Sequence, residues 1–248
     1  MVKECLVIPT EILEQENILP RERTNQALYI PLSSVGGAEN IYRLAALHGE
    51  YRERFGEQGV EVDPSFQQLI MYAFILKDNR FLAFQRGSAE KGQYDESRLE
   101  GKISLGLGGH IEPSDLSLED SLFREVDEEA KLVINNRTEI DFHGDDKNLS
   151  INYMRNFLDI TPVGLIKDER DEVGRVHLGI ACRLTTKYSK SEMIVRTEGE
   201  NVSFRYFTPE DYRSLTDSNQ ITPEGWSDIV FRNEILPSLT PPTYNPRG

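Results

Sequence analysis

Ser117-Leu118-Glu119-Asp120-Ser121-Leu122-Phe123-Arg124-Glu125-Val126-Asp127-Glu128-Glu129 is the stretch from which the rest of the chain is read. Leu118, Leu122, Val126 and Ala130 recur at helical spacing and define one buried stripe. Ser117 with Asp120 three residues later is an N-terminal capping pattern, which fixes where the helix begins. Glu125, Glu128 and Glu129 then stand at i, i+3 and i+4, so their side chains converge on one patch. Like charges at that spacing cost about 0.2–0.5 kcal/mol per pair. They also lie towards the helix C-terminus, where the dipole disfavours anions. A positive partner offsets that cost, and a divalent cation with oxygen ligands is the natural one, Mg²⁺ or Mn²⁺ suiting carboxylates best.

Acidic runs are more often solvated faces than sites. Two neighbours argue otherwise here. Gly106-Leu107-Gly108-Gly109 lies directly upstream, at the end of an apolar run from Ile103 to Leu107 that predicts a strand. Arg124 stands beside the carboxylates, able to pair with one and orient it bidentately. A strand, a glycine turn that bares backbone carbonyls, and a carboxylate-bearing helix together predict a cation cradle.

These residues resemble a Nudix box, whose pattern is Gly, five residues, Glu, seven residues, then Arg-Glu-apolar-any-Glu-Glu-any-Gly-apolar. Gly109 begins it, Asp115 stands at the first Glu, and Arg124-Glu125-Val126-Asp127-Glu128-Glu129-Ala130-Lys131-Leu132 completes it. There are three departures: Asp115 replaces Glu, one extra residue precedes Arg124, and Lys131 stands where Gly ends the helix. The extra residue is expected to be absorbed in the loop before Ser117, and Asn135 and Asn136 are expected to end the helix slightly later. Gly101 to Ile111 and Val173 to Gly179 resemble a Nudix subgroup known only as predicted phosphoesterases. The resemblance spans roughly residues 65 to 210.

The resemblance implies an α/β/α sandwich with a mixed sheet. It implies Mg²⁺ or Mn²⁺ held by Glu125, Glu128, Glu129 and the backbone carbonyl of Gly108. Arg124 would orient a ligand carboxylate. In the family the general base is sometimes a box glutamate and sometimes a loop carboxylate, so Glu169, Asp171 and Glu172 are loop candidates, Glu172 first. Phosphate contacts are expected from Arg86, at a strand end, and Lys102, just before the glycines; a surface role fits both equally. His110 could donate to a phosphate or simply pack, whereas His177, among apolar strand residues, reads as a core histidine.

The chain has 248 residues, enough to bury a sizeable core. Its 28 basic and 42 acidic residues give a net charge of −14, which argues against a generic nucleic-acid or anionic-membrane surface binder. Two distant cysteines, Cys5 and Cys182, fit buried thiols in a reducing cytoplasm better than a disulfide framework. Four histidines and two cysteines are dispersed without zinc-site spacing. No P-loop, dinucleotide fingerprint, nucleophile motif or membrane-length apolar run occurs. A cytoplasmic protein is expected, acting on a small-molecule diphosphate, with a homodimer left open.

Three parts are expected: residues 1–64 as an N-terminal extension or subdomain, 65–238 as the hydrolase domain, and 239–248 as an extended tail. Cys5–Pro9 and Ala27–Pro31 predict strands, and Asn40 to Phe55 predicts a helix. Leu69–Leu76 and Arg80–Arg86 predict a hairpin about Lys77-Asp78-Asn79. Gly87 to Glu100 predicts a loop overhanging the cleft. Ile151–Ile166 and Val176–Thr185 predict strands joined by Lys167–Glu172. Val202–Phe207 predicts another strand, and Pro209–Leu215 and Gly225–Leu236 predict helices. The expected function is divalent-metal-dependent hydrolysis of a nucleoside diphosphate linked to another moiety. A catalytically weak ligand-binding or regulatory module is the alternative. An isomerase acting on an isoprenoid diphosphate is a third reading, for which Cys5 and Cys182 lie in no recognisable motif.

Overall fold

The structure is a computed structural model describing residues 3–22, 25–56, 59–86, 101–135, 138–140, 147–188, 190–195 and 204–239. The chain opens with β1 (Glu4–Pro9), α1 (Thr10–Gln15), β2 (Ala27–Pro31), α2 (Ala38–His48) and β3 (Glu50–Glu53). There follow β4 (Phe66–Lys77), β5 (Arg80–Gln85), β6 (Ile103–Ser104) and β7 (Gly106–His110). Helix α3 (Leu118–Glu129) runs directly into β8 (Ala130–Ile134), which turns into β9 (Thr138–Ile140). Next come α4 (Lys147–Met154), β10 (Leu158–Asp168), α5 (Glu172–Val176), β11 (His177–Thr186), β12 (Ser191–Val195) and β13 (Phe204–Phe207). The last elements are α6 (Pro209–Asp217) and α7 (Gly225–Val230), which continues through a π-helical turn, Phe231–Ile235, into α8 (Leu236–Leu239). Pro237 has no N–H and its ring crowds the carbonyl four residues back, so a widened turn just before it relieves the clash.

Strand β4 organises the molecule. Leu69, Met71, Ala73 and Ile75 enter one core while Tyr72, Phe74 and Leu76 enter the other, the two-residue alternation of a strand covered on both faces. One edge of β4 is met in turn by β1, β7 and β5, all antiparallel. The other edge pairs in parallel with β11, which pairs antiparallel with β10, and β10 with β2. The sheet is therefore mixed. Helices α2 and α3 pack on one face through Ile41, Leu44, Leu122 and Val126, and α6 and α7 on the other through Tyr212, Ile229 and Val230. Each fully buried aliphatic side chain contributes roughly 2 kcal/mol by leaving water. The architecture is the expected α/β/α sandwich. Strands β12, β8 and β9 form a separate antiparallel sheet.

Residues upstream of the expected hydrolase domain are built into the main sheet: β1 hydrogen-bonds to β4, and the Leu6 N–H donates to the Ile111 carbonyl at 2.9 Å. The β4–β5 hairpin forms as expected, with Asp78 at positive φ. Four local expectations are corrected. The helix expected to reach Phe55 ends at His48, and Tyr51 lies in β3 opposite Leu6, because Gly49 takes an extended conformation and breaks the helical run. Ile151 to Met154 belong to α4 instead of a strand; the short apolar run there suits either state. Lys167 and Asp168 extend β10 and are buried, not loop residues. Gly106 to His110 form strand β7, not a turn. The expected loop Gly87–Glu100 and the tail beyond residue 239 lie outside the described residues. No helix among the described residues is long and apolar enough to cross a membrane.

Candidate active site

Glycine in β7 serves close approach. Gly108 has φ +146°, and a Cβ there would lie 1.9 Å from the Met71 carbonyl oxygen of the neighbouring strand. A Cβ at Gly109 would fall 2.4 Å from a carboxylate oxygen of Glu125. The strand is thus wedged between the backbone of β4 and the carboxylates of α3, which explains how a strand and a helix meet with an ionic group between them. Gly109→Ala has an ordinary backbone conformation to occupy and displaces only the flexible end of Glu125. If that carboxylate serves a metal-dependent reaction, the expected effect of misplacing it is a fall of about 100-fold in rate. The melting temperature should change little, which calorimetry of the same preparation checks.

Ser117 caps α3 by accepting from the Asp120 N–H at 3.1 Å, so the register of the helix is the one read from the sequence. Its end differs: Ala130 is already extended, and Lys131 lies in β8, where its ammonium pairs with Glu139 at 2.7 Å. The chain passes from helix to strand without a left-handed residue, so no glycine is needed there. Asn135, at φ +53°, closes the turn after β8 and not the helix.

Arg124 is the pivot. Its side chain is 7% exposed and forms a bidentate pair with Asp115, Nε to Oδ1 at 2.9 Å and Nη2 to Oδ2 at 3.0 Å. Nη1 donates to Glu125 Oε1 at 2.6 Å, and Nη2 also donates to the His110 carbonyl at 2.8 Å. Asp115 in turn accepts from the Glu112 N–H at 2.8 Å. The shorter Asp therefore reaches the guanidinium because the loop brings its backbone close.

Glu125, Glu128 and Glu129 occupy the last turn of α3 as predicted. Glu128 is half exposed and lies 3.8 Å from Arg124 Nη1. Glu129 Oε2 accepts from the Gly108 N–H at 3.2 Å, placing the glycine strand and the helix carboxylate in direct contact. Burial raises the Glu125 carboxyl above its ordinary range in spite of Arg124. Burial, reinforced by Glu125 and Glu128, pushes Glu129 up to about 7, while Arg86 and the Gly108 N–H pull the other way. The turn thus carries more negative charge than its surroundings neutralise. Hard oxygen donors with unbalanced charge fit Mg²⁺ or Mn²⁺.

A glutamate with a raised folded-state pKa holds its proton more tightly folded than unfolded. Its contribution to stability is present at low pH and is lost as pH rises from the ordinary glutamate value to about 7. In the metal-free protein, Glu129→Gln should therefore stabilise at about pH 8, and the gain should shrink towards about pH 5.5. If the α3 turn holds a divalent ion, saturating Mg²⁺ should remove the difference at the higher pH by stabilising the wild-type carboxylate. Thermal melts of both proteins across that range check the result.

The remaining sequence-predicted residues are distributed unevenly. Arg86 donates to Glu224 at 2.6 Å, and its charge also acts on Glu129, so its guanidinium is already engaged within the protein. Lys102 is half-buried beside it, its carbonyl accepting from the Arg86 N–H at 2.9 Å. Glu172 is exposed at the start of α5, and no hydrogen bond or ion pair among the described residues joins it to the α3 carboxylates. Of the other two loop candidates, Asp171 caps α5 through the Gly174 N–H at 2.7 Å, and the Glu169 N–H donates to the Gln26 carbonyl at 2.9 Å.

His110 meets His177, Nε2 to Nε2 at 3.1 Å, and Glu61 joins them. Burial depresses the pKa of both imidazoles, which keeps them neutral. Sequence reading missed this grouping, since 67 residues separate the histidines and Glu61 falls in the expected N-terminal extension. No spacing signal could have found it.

No protein-family model matches the chain. Protein YmaB of Bacillus subtilis (strain 168) is 28% identical over 190 residues, covering 75% of this chain and 80% of that protein. The crystal structure of Tm1382, a protein presumed to be a Nudix hydrolase, superposes with a TM-score of 0.63 at 20% identity, over 96% of this chain and 100% of that one. At that identity the likeness is one of fold, and the two chains share it.

Proposed function

We propose that this chain, which has the Nudix fold, is a divalent-metal-dependent hydrolase of a diphosphate linkage, its substrate a nucleoside diphosphate joined to another moiety. The observation that carries the reading is the last turn of α3. There Glu125 and Glu129 are held with raised proton affinity, and Arg124 fixes the turn against Asp115 and β7. Such a charged, buried arrangement costs stability without a cation, and perturbed carboxylates of this kind mark functional sites.

Mg²⁺ or Mn²⁺ would be held by Glu125, Glu128, Glu129 and the Gly108 carbonyl. Bound there, the ion supplies charge neutralisation for the diphosphate oxygens and acidifies a water. The protein's own contribution is positioning. Arg124 leaves one Glu125 oxygen free of its own hydrogen bond while fixing the other. The Gly108 N–H orients Glu129. Arg86 and Lys102 stand together at the start of the glycine segment, where phosphate oxygens would approach. Glu172 remains the loop candidate for general base, needing a substrate-driven approach to act. Residues 65–238 would form the hydrolase unit, with 1–64 completing its sheet. Two buried free thiols, Cys5 and Cys182, suit a cytoplasmic setting.

A ligand-binding module without turnover is the competing reading. The intact Asp115–Arg124–Glu125 chain favours the enzyme, because Asp in place of Glu has not loosened it. The deciding experiment measures phosphate and nucleotide release from a panel of nucleoside diphosphate derivatives with Mg²⁺ or Mn²⁺, beside Glu128→Gln. Metal-dependent turnover lost in the variant is expected. Thermal stabilisation by a panel member without any turnover would establish the binding module instead.

A further inference from the structure

We propose that Glu61, His110 and His177 form a second metal site, made of residues other than the α3 glutamates and suited to a zinc-class dication. One ligand atom from each residue lies within 4.8 Å of the other two. The two Nε2 atoms are 3.1 Å apart. Zinc–nitrogen bonds of about 2.0–2.1 Å at a tetrahedral angle place two imidazole nitrogens about 3.3 Å apart. A single ion therefore bridges the observed pair with almost no movement of either ring.

The surroundings orient the ligands. His177 Nδ1 lies 2.6 Å from the Val173 carbonyl, which only accepts, so Nδ1 carries the proton and Nε2 presents its lone pair. That is the arrangement by which backbone carbonyls fix metal-binding histidines. The buried Lys167 ammonium holds the carbonyls of Gly174, Arg175 and His177 at 2.8, 2.7 and 3.3 Å, which immobilises the segment carrying the ring. His110 is anchored by its own carbonyl to Arg124. In the metal-free state His110 Nε2–H donates to His177; ligation requires only that His110 shift this proton to Nδ1. Glu61 Oε2 has two partners, Arg54 and Gln68, both at 3.4 Å, the outer limit of a hydrogen bond, so its carboxylate is available. Backbone bonds from Val60 to Glu53 and from Glu61 to Arg54 hold it in place.

Two imidazoles and one carboxylate select zinc-class ions over Mg²⁺, whereas the α3 site has oxygen donors alone. Three protein ligands leave a fourth position for water. The inference stands apart from the hydrolase reading, because it is tested by binding alone. Full-length protein freed of metal by chelation would be titrated with Zn²⁺ against a chromogenic chelator, with Co²⁺ absorption as the test of tetrahedral geometry. Wild type and Glu128→Gln are expected to bind one equivalent alike. Glu61→Gln should weaken binding at least about tenfold, and the His110→Ala/His177→Ala double variant should lose it. Retention of the equivalent by the double variant, its loss in Glu128→Gln, or no binding by wild type would overturn the proposal. Should the histidine variants not fold, Glu61→Gln decides, since its partly exposed side chain tolerates the change and unaltered affinity there refutes the site.

Discussion

Glu128→Gln is expected to lower the metal-dependent rate by about 10³-fold, equivalent to about 4 kcal/mol of transition-state stabilisation. The melting temperature should meanwhile move by no more than about 2 °C. The asymmetry follows from where the side chain sits. Half exposed and 3.8 Å from Arg124, it contributes little to the fold, and a surface pair of that geometry is worth under about 1 kcal/mol. Its ionised oxygen is nevertheless needed if the last turn of α3 holds the cation. Gln preserves shape and polarity while removing the charge. Steady-state kinetics over a range of Mg²⁺ concentrations would separate a weakened ion from a lost one: a rate restored by excess metal indicates affinity, a rate that stays low indicates chemistry. A variant with wild-type turnover would remove the α3 turn from the mechanism.

Arg124→Ala is expected to act on the fold itself, destabilising by about 3–5 kcal/mol. Asp115 and Glu125 side chains are 4% and 15% exposed, and both would lose their cation, as would the His110 carbonyl its donor. For a chain of this length that loss lowers the melting temperature by roughly 10 °C. Arg124→Lys keeps the charge but cannot form the two-pronged pair with Asp115 while reaching Glu125 and His110, so only part of the stability should return. Urea unfolding of the three proteins measures both differences. A loss below about 1 kcal/mol for the alanine variant would mean that solvent replaces the guanidinium, and that the α3 turn is held by packing alone.

The sequence exposed the helix and its chemistry because periodicity and capping are local. Leu122, Val126 and Ser117 fall where spacing places them, and Glu125, Glu128 and Glu129 share a turn for the same reason. The glycines stand out in the sequence but their role does not, because a glycine needed for close approach and one needed for a turn look alike in a linear text. Only the neighbours, Met71 and Glu125, distinguish the two. Lys167 falls at the start of an expected strand connection, and its burial is invisible locally since its four acceptors come from Gln67 and from carbonyls seven to ten residues downstream. The meeting of Glu61, His110 and His177 depends on sheet order, and sheet order is not written in any window of sequence.

The parallel pairing of β4 with β11 has a consequence in time. Residues 68 to 76 must wait for residues 177 to 185 before their second edge is covered, and β2 waits for β10 beyond Leu158. On the ribosome, therefore, the apolar strand β4 emerges long before its partner, and no complete core is available to it. Non-local parallel pairing is slow to form and leaves edges open to other chains in the interval. Yield at elevated temperature should be limited by that waiting period more than by the stability of the finished sandwich, with chaperone supply as the controlling variable.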